Sequence, residues 1–571
     1  MMRLFALALG SLSALTSALP AQVHAPGDWG LADAQILALD LPADVSQPFA
    51  VELWLGAEPH TLHLAQRSLR AEGFQAWATD AQGELVPVEA PEPATCRGHL
   101  EGLEPSSAAA SLIDGQLSAL IRLGAGQPSW HVQPLSKLQA GAPAELHVVY
   151  SGLDIVPTDA TCATTEVDAG LVQPQSSQAA LGTPLKVAQV ACDADYEFYQ
   201  YNGSSMNGTI ADIEDVLNGV ALIYQDDADI IQVITNILVR TNSNDPYSSS
   251  SAGTLLSQFR SQWNNNHQNI TRDVAHLFTG RDLNGSTIGV AWLNVICNLS
   301  QAYGLSQSSF SGLMGSRVAL TAHELGHNWS SSHCDGDSDC QIMCSGLGGC
   351  LGISAFGNYA LGKLIQEKNS SGCLSNPAPP SLSSVEPASA QPFDAEQVIL
   401  TGSSFLGVDA IHLGNQVLGP DEFNVAGPDT IKFVPPFPTA LGSLSLSVSA
   451  NGSNSNSQSF TFEETDPPLL IAKIGAAAGE QLDWQLASEP GELAFLLLAF
   501  SDATLPLLGI DVLALGKVIH DQALDGLGLG SFAVTMPAIE VGTILYSQMV
   551  TLDGGLVFEA SNIGFSVVQL L

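Results

Sequence analysis

The stretch TAHELGHNWSSSH, residues 321–333, contains the pattern His-Glu-x-x-His with a third histidine six residues beyond the second. On an α-helix the four-residue spacing places His323 and His327 on one face, one turn apart. His333 can join them only if the helix ends and the chain turns back. Three neutral imidazoles leave a fourth tetrahedral position open, as a catalytic zinc ion requires. We therefore predict a helix over 317–329 and a Zn²⁺ site formed by His323, His327 and His333.

The glutamate inside this pattern, Glu324, is not needed as a metal ligand. Beside a zinc-bound water it can take the water's proton and pass it to the leaving amine of a peptide. The alternative interpretation is a helix that happens to expose two histidines, and the number of specified residues at the right spacing disfavours it. Another close pair, His60 and His63, lacks a helical context and is interpreted as part of a solvated strand end.

The sequence around the motif resembles the metzincin clan of zinc peptidases and, within it, the reprolysin or adamalysin (ADAM-type) family. CQIMC, residues 340–344, is similar to the methionine turn of that family, with Met343 beneath the metal. Further matching segments are DYEFY at 195–199, RDVAHL at 272–277 and STIGVA at 286–291. The resemblance covers roughly residues 186–376. It implies an α/β metzincin domain, a zinc cofactor, and protein or peptide substrates.

Two positions depart from the family pattern. Ser330 stands where the family has glycine, the residue that enters left-handed backbone geometry without steric cost. A serine in that geometry costs on the order of 1 kcal/mol, and loss of the third ligand remains an alternative. Cys334 is inserted directly after His333 and before Asp335.

The resemblance also implies features at the end of this domain. It implies a disulfide between Cys297 and Cys373, and a structural Ca²⁺ site made by Asp273, the Cys373 carbonyl and Asn376. The usual acidic partner of that site falls on Gln189, whose neutral oxygen is a weaker calcium ligand. Solvated Asp and Asn side chains are the alternative.

The chain has nine cysteines, so at least one lacks an intramolecular disulfide partner. Five of them follow the histidine motif, and the first four lie close together: Cys334, Cys340, Cys344 and Cys350. Four cysteines allow three connectivities. We expect these four to pair among themselves. Cys340 with Cys344 is the first expectation, which leaves Cys334 to pair with Cys350.

Residues 22–185 are predicted to be rich in β-strands. CRGHLEG at 96–102 and HVVY at 147–150 resemble the reprolysin propeptide, which implies a latent zymogen. Cys162 stands where such zymogens carry a cysteine that caps the zinc, and a thiolate would occupy the position that the catalytic water needs. A disulfide from Cys162 to Cys96 or Cys192 is the alternative.

Hydrophobic patterning predicts α/β alternation after this region. The predicted helices lie within 210–223, 255–263 and 317–329, and the predicted strands lie within 187–191, 230–239 and 287–292. The linker PAPP at 377–380 begins the segment 377–465. VEP at 385–387, VILTGSSF at 398–405 and SFTF at 459–462 give this segment a resemblance to an IPT/TIG immunoglobulin-like module. Residues 466–571 alternate apolar runs with Gly and Pro, and we expect a second β domain there. Both C-terminal domains could bind a surface or a substrate.

Charge composition and the N-terminal segment limit the possible binding partners and the cellular location of the protein. The formal net charge is −40, with 17 basic residues against 57 acidic ones, so a nucleic-acid partner is excluded because phosphate binding needs clustered Lys and Arg. Arg3 followed by an apolar run predicts a secretory signal at 1–21 and therefore a secreted protein. No later stretch predicts a membrane span.

Three functions compete at this stage. The first is an active endopeptidase, the second is a catalytically inactive adhesion protein with the same fold, and the third is a zinc hydrolase of non-peptide bonds. Intact Glu324 favours an enzyme, because a protein that only binds has no need of the base. The reprolysin resemblance favours a peptide substrate.

Overall fold

The computed structural model describes residues 25–163 apart from 81 and 125, and residues 184–463 apart from 348–351, 393–395, 437 and 440. Between 469 and 569 it describes the backbone of the strands. The predicted secretory signal and Cys350 lie outside the described residues. Three parts are named below: the N-terminal region (residues 25–163), the central domain (residues 184–377) and the sandwich (residues 381–462).

The N-terminal region consists of short strands: β1 (Gln35–Ala38), β2 (Phe49–Leu55), β3 (Glu58–Gln66), β4 (Arg70–Thr79), β5 (Leu85–Val88), β6 (Thr95–Leu100), β7 (Ser107–Ile113), β8 (Gln116–Arg122), β9 (Trp130–Pro134), β10 (Leu146–Ser151) and β11 (Thr161–Cys162). Eight of them form an antiparallel sheet in the order β1-β10-β9-β8-β7-β6-β3-β2. In β2 the side chains of Val51, Leu53 and Leu55 are buried and alternate with exposed residues, as expected for a strand with one face on a core.

The central domain alternates strands and helices: β12 (Lys186–Ala194), α1 (Tyr196–Tyr201), α2 (Met206–Ala228), β13 (Ile230–Val239), α3 (Ala252–Asn266), β14 (Val274–Thr279), β15 (Thr287–Ala291), β16 (Tyr303–Gln307), α4 (Met314–Asn328) and α5 (Asn358–Ser370). All six elements predicted from hydrophobic patterning are confirmed. Strands β12, β13, β14 and β16 are parallel, and β15 runs antiparallel to β16. Parallel strands are covered on both faces, which explains the continuous apolar runs in their sequences.

Three strands of the N-terminal region belong to the sheet of the central domain. The order of that sheet is β11-β15-β16-β14-β12-β13-β4-β5. Strand β4 pairs in parallel with β13, with Arg70 opposite Ile234, and β11 pairs in parallel with β15. The sequence predicted residues 22–185 as a separate domain, yet part of this segment completes the central sheet on both edges.

Helices α2 and α4 pack directly on each other in the core of the central domain. A Cβ on Gly219 of α2 would lie 2.8 Å from a methyl carbon of Val318, so only glycine permits this approach. The Tyr224 hydroxyl donates a hydrogen bond of 3.0 Å to the Ala322 carbonyl. Arg317 of α4 forms a bidentate ion pair with Asp212 of α2, at 2.8 and 2.6 Å, and both side chains are buried.

The opposite face of α2 is covered by the N-terminal region. The Asn218 amide donates to the carbonyls of Cys96 and Ala110, at 3.2 and 2.7 Å. The buried Glu214 carboxylate forms an ion pair with the partly buried Arg70, whose Nε lies 2.6 Å from it. The polar side of α2 is therefore an internal surface of the molecule.

The first turn of α4 is also held by the N-terminal region. The N-cap residue Leu313 has no capping side chain. Instead, Gln133 Oε1 accepts a hydrogen bond of 2.9 Å from the Met314 amide, and the Gly315 amide donates to the Tyr150 hydroxyl at 3.3 Å. These contacts satisfy two of the amide groups that a helix leaves without an internal partner.

The sandwich contains β17 (Ser381–Glu386), β18 (Ser389–Ala390), β19 (Val398–Ser403), β20 (Val408–Leu413), β21 (Gln416–Leu418), β22 (Phe423–Gly427), β23 (Thr430–Phe433), β24 (Gly442–Ala450), β25 (Ser453–Asn454) and β26 (Gln458–Phe462). Its two sheets, β17-β19-β23-β22 and β18-β26-β24-β20-β21, share one apolar core. It contacts the N-terminal region through Asn424, whose Oδ1 accepts from the Gln66 amide at 2.8 Å.

The remaining described strands are β27 (Leu469–Ala472), β28 (Gly475–Ala477), β29 (Gln481–Ala487), β30 (Leu493–Ala499), β31 (Thr504–Leu507), β32 (Ile510–Leu513), β33 (Lys517–Ala523), β34 (Leu529–Thr535), β35 (Ile544–Leu552) and β36 (Phe558–Gln569). The molecule is therefore multidomain and strongly β-rich, as predicted. Among the described residues, the helices are all too short or too polar to cross a bilayer.

Candidate metal centre

The three motif histidines converge on one point. His323 and His327 lie one turn apart on α4, and their Nε2 atoms are 3.0 Å apart. The His333 ring lies 5.2 Å from the His323 ring and 4.9 Å from the His327 ring, measured between centroids. The nearest ligand atoms of the three rings and of the Cys162 thiol all lie within 4.8 Å of one another. The structure thus brings together every residue that the sequence assigned to zinc.

His333 reaches the other two because the chain reverses after α4 ends at Asn328. Ser330 adopts a left-handed conformation with φ of 75°, at the position where a glycine would be free of strain. The reversal is held by the Ser331 amide, which donates to the Gly326 carbonyl at 3.0 Å. Ser330 therefore adopts the backbone conformation that the turn requires. The alternative, in which this serine prevents His333 from reaching the other two histidines, is disfavoured.

Backbone carbonyls orient two of the rings. His323 Nδ1–H donates to the Ile342 carbonyl and His327 Nδ1–H donates to the Ser331 carbonyl, each at 2.7 Å. A ring that donates through Nδ1 keeps the lone pair of Nε2 for a metal. Burial lowers the pKa of His323 to about 4, and the hydrogen bond to the Ile342 carbonyl offsets this only in part, so the ring is neutral at physiological pH. Neutral, oriented imidazoles fit a zinc ion.

Glu324 lies beside this cluster and is completely buried. Burial raises the pKa of its carboxyl to about 8, and the Cys162 thiol, which donates to Oε2 at 3.5 Å, lowers it only in part. Oε1 has no hydrogen-bond partner among the described residues. Gly289 of β15 faces this carboxyl, since a Cβ there would lie 2.8 Å from Glu324 Cδ. Replacing Gly289 by any other residue would therefore displace the Glu324 carboxyl.

Cys162 enters the cluster from strand β11. Its sulfur lies 3.4 Å from His327 Nε2. The backbone is fixed on both sides, because the Cys162 amide donates to the Ser345 carbonyl and the Ala163 amide donates to the Gly289 carbonyl. Cys96 and Cys192 are buried thiols, so the alternative disulfides from Cys162 to either of them are wrong.

The disulfides bear out one prediction and correct another. Cys297 and Cys373 are bonded, as the family resemblance implied. Cys334 is bonded to Cys340, so the expected Cys340–Cys344 pair is wrong, and with it the pairing of Cys334 with Cys350. The reason is a local turn in which the Asp337 amide donates to the Cys334 carbonyl and the Cys340 amide donates to the Asp337 carbonyl. This turn brings the two Cα atoms to 5.5 Å. Cys344 also takes part in a disulfide.

Met343 lies beneath the histidines, where the sequence placed it. It is completely buried, and its sulfur lies against Gly326 of α4, between the two helical ligands. The Cys334 amide donates to its carbonyl at 3.2 Å, which ties the methionine segment to the residue that follows His333.

The candidate calcium residues are arranged less favourably. The Asp273 carboxylate lies near the Cys297 and Cys373 sulfurs, which are disulfide-bonded and are not the oxygen ligands that calcium prefers. Asp273 Oδ2 accepts from the Gln189 amide at 2.8 Å. Asn376 Oδ1 accepts from the Lys186 ammonium at 2.9 Å, so a cation already occupies that oxygen. The calcium site stays a prediction.

Sequence reasoning missed the residues that orient the cluster. Gly289 lies within the matched segment at 286–291, but its contact with Glu324 is not readable from the segment itself. The Ile342 and Ser331 carbonyls carry no side-chain signal at all. Gly289 could have been suspected because glycine in a strand often marks the close approach of another group.

Comparisons with known proteins identify the central domain. Residues 184–377 match the sequence model Reprolysin_5, described as metallo-peptidase family M12. Proteins named disintegrin and metalloproteinase domain-containing protein 19, from Mus musculus and from Homo sapiens, are each 29% identical over 175 residues. Those residues are 30% of this chain and 18% of each relative, so the match spans about a fifth of their length.

Among solved structures, metalloproteinase-II from Bacteroides fragilis aligns with 57% of this chain and 92% of its own, at 13% identity and a TM-score of 0.34. The family match shows that the chain carries a metallopeptidase domain of the reprolysin type. Such a domain implies a metal, typically zinc.

Proposed function

We propose that the protein is a secreted zinc endopeptidase made as a latent zymogen, with His323, His327 and His333 as zinc ligands and Glu324 as the catalytic base. One observation carries the proposal: three imidazoles, two of them oriented by backbone carbonyls, and a buried carboxyl converge within the M12 domain. Protein or peptide chains are the proposed substrates, because the domain match is to peptidases.

Glu324 supplies the proton transfer in this mechanism. Zinc bound at the three histidines would polarise the substrate carbonyl and acidify a water molecule. With zinc bound at the histidines, the Glu324 carboxylate would accept the proton of the attacking water and release it to the leaving amine. The absence of a side chain at Gly289 leaves room for the Glu324 carboxyl. The carbonyls of Ile342 and Ser331 keep the rings of His323 and His327 oriented while the proton is transferred.

Cys162 is the proposed latency device. Its sulfur lies beside His327 and Glu324, at the place where an attacking water must stand. In this proposal residues 22–185 are the propeptide, and β11 holds the cysteine in the site by pairing with β15. Residues 377–465 are proposed to be an IPT/TIG immunoglobulin-like domain, and 466–571 a further β domain, both acting as spacers or as surfaces for substrate.

The alternative of an inactive adhesion protein is less well supported. A protein that only binds has no use for a buried carboxyl beside the histidines, since burying an ionisable group without a charge partner is unfavourable. The arrangement around Glu324 favours catalysis.

The test compares the full-length protein with Cys162→Ser, using fluorogenic peptide libraries together with zinc analysis. The parent is expected to bind zinc and remain latent, whereas Cys162→Ser cleaves peptides without prior processing. Cys96→Ser is the matched control, because it removes a different thiol of the N-terminal region, away from the histidines, and should stay latent. Zinc-loaded Cys162→Ser without peptidase activity would sink the enzyme assignment. Equal activity in parent and variant would remove only the latency device.

A further inference from the structure

A cavity of about 380 Å³ lies where the N-terminal region, the central domain and the sandwich meet. Its polar lining includes Arg67 and Arg97 from the N-terminal region, Gln232 and Asp226 from the central domain, and Asp409 from the sandwich. The volume lies within the range of small-molecule sites in proteins. The cavity is separate from the histidine cluster, and none of its lining residues takes part in the proposed catalysis.

Two guanidinium groups face this cavity without a carboxylate partner. Neither Arg67 nor Arg97 has a carboxylate oxygen within 4.0 Å among the described residues. Arg67 Nη1 donates to the Val408 carbonyl at 2.7 Å, and Arg97 Nη1 is buried without a hydrogen-bond partner. Burial lowers the pKa of each to about 10, although Asp226 opposes the shift at Arg97 and Asp409 opposes it at Arg67. The charge of Arg67 acts on Arg97 in the same direction as burial, because the two cations repel each other.

The two carboxylates in the cavity wall are engaged elsewhere. Asp226 Oδ2 accepts from Arg122 at 3.0 Å and from the Ser107 hydroxyl at 2.6 Å. Asp409 accepts from the Ser449 hydroxyl at 2.8 Å and from the Asn451 amide at 3.1 Å. They moderate the positive potential at a distance, but they leave the guanidinium donors available.

Gln232 provides an independent sign of a missing partner. This residue lies in β13 with 4% of its surface exposed, and neither its Oε1 nor its Nε2 has a hydrogen-bond partner among the described residues. Buried amides are nearly always hydrogen-bonded, because an unmet donor or acceptor costs about 1–3 kcal/mol. If the cavity had no polar occupant, an apolar residue at position 232 would fill the same space without leaving polar atoms unpaired.

We propose that this cavity binds a small oxyanion, through charged hydrogen bonds from Arg97 and Arg67 and a neutral one from the Gln232 amide. Phosphate and carboxylate groups share the chemistry that such donors recognise. General surface charge does not account for the site, because the chain has only 17 basic residues and a net charge of −40. Since its residues come from three parts of the chain, a bound anion would fasten the N-terminal region to the central domain and the sandwich.

The test is thermal unfolding of the full-length protein titrated with sodium phosphate, against sodium chloride at equal ionic strength. A ligand that binds the folded state raises Tm in a saturable way. We expect such a rise for the wild type and an affinity weaker by about tenfold or more in Arg97→Gln. Arg281→Gln is the matched control, because Arg281 pairs with Glu197 and does not line the cavity, and it should keep the wild-type affinity. An acetate arm distinguishes a carboxylate ligand from a phosphate.

Gln232→Leu separates binding from folding. Without added anion this variant should be as stable as the wild type or more stable, because it removes an unpaired buried amide. Its affinity for the preferred anion should nevertheless fall several-fold. The proposal is overturned if the wild type shows no saturable response to phosphate or acetate, or if Gln232→Leu responds as the wild type does. The latter result decides the matter even if Arg97→Gln fails to fold.

Discussion

Helices α2 and α4 lie side by side in the central domain, and both bury polar side chains for different reasons. On α4 the buried polar residues His323, Glu324 and His327 face the candidate metal centre. On α2 the buried Glu214 and Asn218 hold the N-terminal region instead. A polar helical face is usually interpreted as solvated, and here neither is. The two faces can be told apart in the sequence because only α4 carries two histidines four residues apart with a glutamate between them.

The largest expected effect is on α4. Glu324→Gln should keep zinc but lower peptide hydrolysis by about a thousandfold or more, because general-base catalysis contributes factors of that order. The measurement is kcat/KM in the Cys162→Ser background, with zinc content determined in parallel. Glu214→Gln is the control from α2, and its folded fraction should retain activity. Undiminished activity in Glu324→Gln would show that Glu324 is not the catalytic base, and α4 would then not differ from α2 in function.

The ion pair that joins the helices should have the largest effect on stability. Asp212→Asn leaves the buried Arg317 guanidinium without its counter-charge, and breaking such a pair typically costs about 3 kcal/mol or more. The free energy of unfolding in urea measures this loss. Asp44→Asn, at an exposed position, should be nearly neutral. A loss below about 1 kcal/mol for Asp212→Asn would mean that apolar packing alone holds α2 to α4.

The side of α2 that contacts the N-terminal region should make the free energy of unfolding depend on pH. Burial raises the pKa of Asp215 to about 6. The charge of Asp212 acts in the same direction, and Arg317 and the Ser118 hydroxyl of the N-terminal region oppose it. The folded state therefore holds the proton more tightly than the unfolded state, and stability is lost as pH rises from about 4 to about 6. Asp215→Asn should be more stable than the wild type above pH 6, by on the order of 1 kcal/mol, with no gain at pH 4. Urea unfolding at the two pH values is the measurement, and an equal difference at both would contradict the assignment.

The smallest expected effect concerns the first turn of α4. Gln133→Ala removes the side chain that accepts from the Met314 amide, and loss of a helix cap costs about 1 kcal/mol. Chemical denaturation of the full-length protein should show a loss of this size. Gln82→Ala, on an exposed turn, is the control. No change in Gln133→Ala would show that water replaces the cap without cost.

How much the sequence could predict depended on how local each feature is. Strand β13 was predicted with its observed bounds, and α4 with its ligands, because apolar runs and the four-residue spacing are properties of neighbouring residues. The pairing of β4 with β13 was not predictable, since nothing in either strand identifies its partner. The Cys334–Cys340 bond was missed because it depends on a turn at Asp337 that composition does not reveal. Within the candidate site, the ligands were readable and the carbonyls that orient them were not.

The pairing of β4 with β13 also has a consequence for the growing chain. Arg70 is translated roughly 160 residues before its partner Ile234. At 5–20 residues per second, β4 therefore waits roughly 8–30 s on the ribosome before its neighbour exists. During that interval its backbone is an open strand edge, the kind of surface that recruits other chains. The order of synthesis thus leaves the hairpin β4–β5 in need of protection until the central sheet is complete.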